Sequence, residues 1–357
     1  SFMSMKNIKF TGLLTRKKAV RYLIYVLFVC AFAVFVIKLN QVEKTELVVR
    51  TGQTFEKAKV VKILQDNLEE NGTRVGEQKV RVRMLTGVRK GEELDITSSS
   101  GYLFGAACKP GMKVIVMQSV AGDSTVASVY TQDREGVIYI FALIYLLVLC
   151  LIGGKQGIKG CLGLVFTFFC VIFVYLPLVY LKYSPFWTAV FVCFITTLVT
   201  MYLIGGPTRK TCAATLGTLV GVILAGVSAW CFSKASGISG YNVSDIETLM
   251  TLWNTNRIQV GGLLFSGLLI SCLGAVMDVA MSISSAIDEI YRQNLSLSRK
   301  ELFKAGLRVG RDMMGTDSNT LILAFAGSSV STLLLDYSYN LPYQQIINSN
   351  NIGIAIM

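Results

Sequence analysis

Hydrophobic and polar positions divide the chain into three stretches of different period. The first is an unbroken apolar run from Tyr22 to Ile37, preceded by Lys6, Lys9, Arg16, Lys17, Lys18 and Arg21. Cations followed by such a run predict an uncleaved signal anchor over residues 20–37 behind a cytoplasmic tail, 1–19. Lys38, Leu39, Asn40 and Gln41 come next, where a cleaved signal peptide, the alternative, would carry small residues. The opening Ser-Phe-Met-Ser-Met reads as a tag remnant ahead of a start near Met5.

In the second stretch, residues 38–135, the period falls to two. Val80, Val82 and Met84 alternate with Lys79, Arg81 and Arg83, which predicts a strand with one face buried and one wet. Further strands are predicted at Ala58 to Leu64, Glu93 to Thr97, Lys113 to Gln118 and Thr125 to Tyr130. Turn dipeptides Asn71-Gly72, Lys90-Gly91 and Pro110-Gly111 separate them. The stretch carries 15 Lys or Arg against 13 Asp or Glu and has no long apolar run, so it is a water-exposed domain. Five short strands predict a small all-β barrel of OB or SH3 type. The basic row Lys79, Arg81, Arg83 is either a solvated strand face or a grip for an anionic ligand.

The third stretch, 136–357, is a succession of apolar runs. Spans are predicted near 137–152, 161–181, 188–204, 211–232, 260–287 and 316–335, with a further run beginning at Ile352, so at least one more helix is expected. Pro177 predicts a kink, and Gly217 with Gly221 forms a GxxxG packing signal, a pattern that chance also produces in a chain with 32 glycines.

Composition turns these runs into a class. With 53% hydrophobic and 16% charged residues and a mean hydropathy of +0.56, the chain is an integral membrane protein. The expected fold is therefore an α-helical polytopic membrane protein with an inserted extracellular barrel domain. Its net charge of +12 does not suggest nucleic acid, because no basic stretch interleaved with aromatics forms a soluble domain. There is no histidine, which removes the commonest general base and metal ligand. Of the nine cysteines, Cys108 alone lies outside the apolar segments, and no CxxC occurs, so neither a disulfide framework nor a zinc site is expected. No cofactor is called for.

Charge also orients the chain. Alternate threading puts 16 Lys or Arg on the side of the N-terminal tail, including Lys155, Lys159, Arg209 and Lys210, against Lys182, Lys234 and Arg257 opposite. The positive-inside rule makes the first side cytoplasmic, so the barrel is expected outside a bacterial plasma membrane.

Candidate chemistry concentrates between Val260 and Leu335. Gly267, Ser271, Gly274, Asp278, Ser282 and Ser285 recur at steps of four and three and share one helical face. Asp312, Thr316, Thr320, Ala324, Gly327 and Ser331 form a second stripe, and the two faces could pack closely. Between them, residues 288–315 are predicted as a cytoplasmic amphipathic hairpin. Ser298 and Glu301 form a capping box that starts a helix at Arg299. Lys300, Lys304, Arg308 and Arg311 line one side of that helix, as expected for one lying among anionic lipid headgroups.

The blocks Gly274-Ala-Val-Met-Asp278-Val-Ala-Met-Ser282, Gly310-Arg-Asp312-Met-Met-Gly315-Thr316 and Asn319-Thr-Leu-Ile-Leu-Ala324 resemble the hallmark segments of the YibE/F-like family of bacterial membrane proteins. The anchor, the domain with a Gln78-Lys-Val80-Arg-Val82 strand and the multi-span half are similar to that family's arrangement. The resemblance implies weight on Asp278, Arg311, Asp312 and Asn319, and carries no substrate. Asp317 departs from the pattern, where an apolar residue is expected.

Three readings follow. In the leading one, a transporter or channel-like protein, Asp278 and Asp312 bind a cation or exchange a proton, aided by the hydroxyls of Ser282, Thr316 and Thr320 and the amide of Asn319. In the alternative, Arg308 or Arg311 neutralises an aspartate, and the protein is a membrane scaffold or sensor whose barrel binds a partner or ligand. Last comes an intramembrane aspartyl enzyme, for which the paired YD and GxGD motifs are missing. A homo-oligomer is compatible with each.

Overall fold

A polypeptide leaving one apolar helix with a period of two must pair its backbone before it can re-enter another. In a computed structural model, which describes residues 6–44, 52–99, 105–121 and 124–356, it does so as a closed barrel. The expected tag remnant at residues 1–5 lies outside the described residues. The chain forms two units, Thr45–Leu151 and the segments Ser1–Lys44 with Ile152–Met357.

In the first unit, β1 (Gln53–Gln65), β2 (Glu77–Met84), β3 (Glu93–Ser99), β4 (Lys113–Ala121) and β5 (Ser124–Gln132) run in the order 1-2-3-5-4. All neighbours are antiparallel except β3 and β5, whose parallel pairing at Thr97↔Ser128 closes the barrel. This is the OB-type order. The five predicted strands are all present. Gly72, Gly91 and Gly111 of the predicted turns each adopt positive φ. Ala58, Val60, Val80, Val82, Met84, Val114 and Val116 fill the interior and are essentially inaccessible. Gln78 is buried among them, with both ends of its amide engaged. Its Nε2 donates to the Cys108 carbonyl at 3.1 Å, and its Oε1 accepts from the Cys108 N–H at 2.9 Å. That pair ties the segment before β4 to β2.

The outward basic row is largely neutralised. Arg81 pairs with Asp95 at 2.6 Å and Arg83 with Glu93 at 2.8 Å, each across the β2–β3 ladder, which favours the solvated face over an anion grip. At the other side of the unit, Lys57 pairs with Glu135, the first residue of α2 (Glu135–Cys170).

The rest of the chain is helical, with six candidate membrane spans among the described residues. The stretch Glu135–Tyr180 is 46 residues long. At 1.5 Å per residue that is about 69 Å, over twice a hydrocarbon core of about 30 Å, so it is long enough for two crossings. The expected loop around Lys155 and Lys159 is absent. α2 is interrupted only at Gly154, whose φ of 53° and ψ of −131° lie outside the helical region, and both lysines sit on helix. Glycine alone reaches that conformation without strain.

α2 continues through a π-helical turn, Val171–Tyr175, into the short α3 (Leu176–Tyr180). This is how the chain absorbs Pro177. Proline has no N–H to give the Phe173 carbonyl four residues back, and the π turn shifts the pairing to five residues, as in Leu176 N–H to the Val171 carbonyl. The Asn40 side chain, at the end of α1 (Lys6–Leu39), also donates to the Phe173 carbonyl at 2.9 Å. Phe32, Val36 and Leu39 bring α1 against the same region, with Phe32 stacked near Phe166 and Phe169.

The bundle centre is α4 (Pro185–Gly205), α5 (Arg209–Ser236) and α7 (Leu263–Gln293). The GxxxG does pack. A Cβ placed on Gly221 would stand 2.5 Å from Val276 Cγ1, and one on Gly217 3.8 Å from Ala280 Cβ. Close approach also needs small polar residues, here Thr196, Thr197, Thr215 and Thr218, which are buried and return their hydroxyls to carbonyls of their own helices. An unforeseen short helix, α6 (Ile246–Asn256), precedes α7, and α9 (Tyr343–Ile347) and α10 (Gly353–Ile356) follow the last span.

The amphipathic hairpin is corrected in kind. α7 reaches Gln293, only 294–298 turn, and α8 runs unbroken from Arg299 to Ser338. The capping box is formed, with Ser298 N–H donating to Glu301 and the Glu301 N–H to Ser298 Oγ at 3.3 Å. The basic segment and the predicted span are therefore one helix of 40 residues and not two elements.

Candidate functional site

The candidate residues ride on two antiparallel helices, and contacts between them fix their relative depth. A Cβ on Gly306 would meet Ile287 Cδ1 at 3.3 Å, and one on Gly310 would meet Ile283 Cδ1 at 3.5 Å. Asp278 lies five residues from Ile283, and Asp312 and Asp317 lie two and seven beyond Gly310. At 1.5 Å per residue, all three carboxylates fall within about 8 Å along the common axis, and Asp278 and Asp317 within about 3 Å.

Direction separates them. At 100° per residue, Asp278 is turned about 140° from Ile283, and Asp312 about 160° from Gly310, so both point away from the α7–α8 contact. Asp278, Ser282, Asp312, Thr316, Asn319 and Thr320 are accordingly all exposed. The stripe residues Gly267 and Gly274 have nothing within 4 Å of an added Cβ. The expected packing of one stripe on the other is not what joins these helices. Ile283 and Ile287 of α7 fill that interface against Gly306 and Gly310 of α8. The faces that carry Asp278 and Asp312 are left over.

Among the described residues, neither Asp278 nor Asp312 makes an ion pair, and Arg308 and Arg311 are likewise unpaired. The Thr320 hydroxyl is spent on the Thr316 carbonyl of its own helix, at 2.9 Å. No group of three or more potential Cys, Asp or Glu metal ligands occurs among the described residues. Lys300 and Lys304 stand exposed on the first turns of α8.

The carboxylate that does face its neighbours is Asp317. It is half-buried in a groove of about 490 Å3 where α5, α7 and α8 meet, beside Gly217, Val276, Ala280 and Ser284. Sequence reasoning passed over it as an exception to a pattern. A usable signal was present: Gly306, Gly310, Met313, Asp317 and Leu321 recur at steps of four and three, the face by which α8 meets α7. A second missed feature is Thr200, whose Oγ1 is buried and has no hydrogen-bond partner among the described residues, with its Cγ2 3.1 Å from a Cβ built on Gly163.

Long apolar helices around a threonine-lined seam, with carboxylates at one depth on two neighbouring helices and a five-stranded barrel inserted after the first helix, define a mostly helical membrane protein. A family model for YibE/F-like proteins matches residues 141–357, and the chain belongs to that family. No curated protein and no solved structure matches it.

Proposed function

We propose that this protein is a plasma-membrane transporter whose path for a cation or proton runs along the polar faces of α7 and α8, with the N-terminus cytoplasmic and the barrel outside. The observation that carries this reading is the set Asp278, Asp312 and Asp317, held at one depth on adjacent spans with no pairing cation among the described residues. An ionised carboxylate at the centre of a span costs about 2.5–3.5 kcal/mol on insertion scales, so three of them are retained only where water, an ion or more protein covers them. Ser282, Thr316 and Asn319 supply further oxygens on the same faces, the donor type that suits hard cations.

Reconstituted proteoliposomes with an internal pH dye and imposed Na+, K+ or Mg2+ gradients test this. A flux that Asp278→Asn or Asp317→Asn abolishes, with the thermal midpoint kept, is the expected result. Fluxes equal to protein-free vesicles for every gradient would remove transport in favour of the scaffold or sensor reading. That second reading has one specific support, an outward apolar patch on the barrel. There Phe55 meets Tyr130 edge to face at 5.2 Å, and both remain exposed as a docking surface would be. An aspartyl protease has less support, because Asp278 and Asp312 face apart and cannot share a proton within one chain.

A further inference from the structure

A groove of about 1200 Å3 lies open between α1, α2, α4 and α5, with no carboxylate in its wall. Its body is apolar, lined by Phe28, Phe32, Phe166, Phe194, Leu198 and Leu219. Only one end is polar. There the Tyr25 and Tyr202 hydroxyls are hydrogen-bonded to each other, and Thr208 and Thr211 join them in the wall. Cations gather at that same end. Arg21, one turn before Tyr25 on α1, acts electrostatically on Tyr202, and Arg209 and Lys210 follow Thr208 in the first turn of α5. The N-terminus of this 28-residue helix adds partial positive charge.

From these features we infer that the groove is a binding site for one anionic phospholipid of the leaflet on the arginine-rich side. Its acyl chains lie along the aromatic and aliphatic walls, and its phosphate reaches the Tyr25, Tyr202 and Thr208 hydroxyls under Arg21 and Arg209. Length agrees with this occupant. From Thr208 to Leu219 the wall extends about 16 Å at 1.5 Å per residue, against about 15 Å for half of a hydrocarbon core about 30 Å thick. Tyrosines at this depth match the usual place of aromatic residues at the headgroup boundary. Charge complementarity selects the headgroup, since Arg21, Arg209 and Lys210 adjoin the hydroxyl end of the groove and no carboxylate lines it. A lipid held there also fills the space beside α1, so it would clamp the anchor helix to the bundle.

Native mass spectrometry of the purified full chain, with dioleoyl-phosphatidylglycerol or dioleoyl-phosphatidylcholine added, tests the assignment. One phosphatidylglycerol should persist at collision energies that strip all others, with at least a tenfold preference over phosphatidylcholine. Leu198→Trp, which fills the groove, and Arg21→Gln with Arg209→Gln, which leaves its walls intact, should each lower that adduct at least tenfold. Lys300→Gln with Lys304→Gln and Arg308→Gln on α8 should leave it in place. The double arginine variant keeps the test decisive if the tryptophan variant does not fold. A tight adduct unchanged in that double variant, equal retention of phosphatidylcholine, or a dimer mass that Leu198→Trp abolishes in place of a lipid adduct would each overturn the proposal.

Discussion

Gly221→Ala separates the face of α7 that holds the bundle together from the face left free. The added methyl would stand 2.5 Å from Val276 Cγ1, about 1 Å inside ordinary contact, which begins at 3.4 Å. Val276 has little room to yield, because a β-branched residue in a helix has one strongly preferred rotamer. The helices must therefore part, and overpacking of this kind costs about 1–3 kcal/mol. Alanine returns about 1 kcal/mol over glycine through helix propensity, which leaves a net loss of up to about 2 kcal/mol. Gly274→Ala is the matched control: nothing lies within 4 Å, so only the gain of about 1 kcal/mol remains. The two variants should thus differ by about 1–3 kcal/mol, a factor of about 5 to 150 in the unfolding equilibrium, read by thermal or SDS unfolding of the full chain. Adding Val276→Ala to Gly221→Ala should recover most of the loss, as coupled neighbours do. Equal stability of the Gly221 and Gly274 variants would refute the α5–α7 contact.

Other perturbations reach the remaining structure. Asn40→Ala should destabilise the chain by about 1 kcal/mol in the same unfolding assay, because the hydrogen bond that ties the end of α1 to the Phe173 carbonyl is lost. Orientation is testable by impermeant maleimide on intact cells, but Cys108 is fully buried and its thiol is pushed up by desolvation, so it is no reporter. Val88→Cys, in a fully exposed turn of the barrel, should label without lysis if the barrel is outside. Replacing Lys300, Lys304 and Arg308 with glutamine should lower the number of loosely held anionic lipids, each charge near a surface being worth about 1 kcal/mol. Acid should weaken the barrel. Arg74 and Arg81 hold Asp66 and Asp95 below their ordinary value of 3.8, so the stabilisation is complete above that value and fades as pH falls through the lower folded values. The full chain's melting midpoint should drop below about pH 4, and Asp95→Asn should make that drop shallower.

The barrel was legible because one strand face is wet, and Val80, Val82 and Met84 could only point inward once Lys79, Arg81 and Arg83 pointed out. The partners of that basic row were not, since pairing of Arg81 with Asp95 depends on a strand register that no local pattern encodes. The helices were legible by length and apolarity, and their boundaries less so. A glycine pair at 153–154 looks like a loop, yet one residue outside helical geometry suffices there. The candidate site was half legible. Periodicity put Asp278 and Asp312 on stripes, but which side of a helix meets its neighbour is decided by large aliphatic residues such as Ile283 and Ile287. A stripe of small residues marks only where close packing is allowed.

The continuity of α8 has a mechanical consequence. At 1.5 Å per residue its 40 residues make a rod of about 60 Å, roughly twice the hydrocarbon thickness. The segment bearing Lys300, Lys304 and Arg308 and the segment bearing Asp312, Asp317 and Asn319 have no joint between them. A tilt or a turn imposed at the basic end, by membrane charge or by a bound protein, acts on the same continuous helix that carries two of the carboxylates. Whatever grips the lysines thus pulls on the element from which Asp312 and Asp317 project.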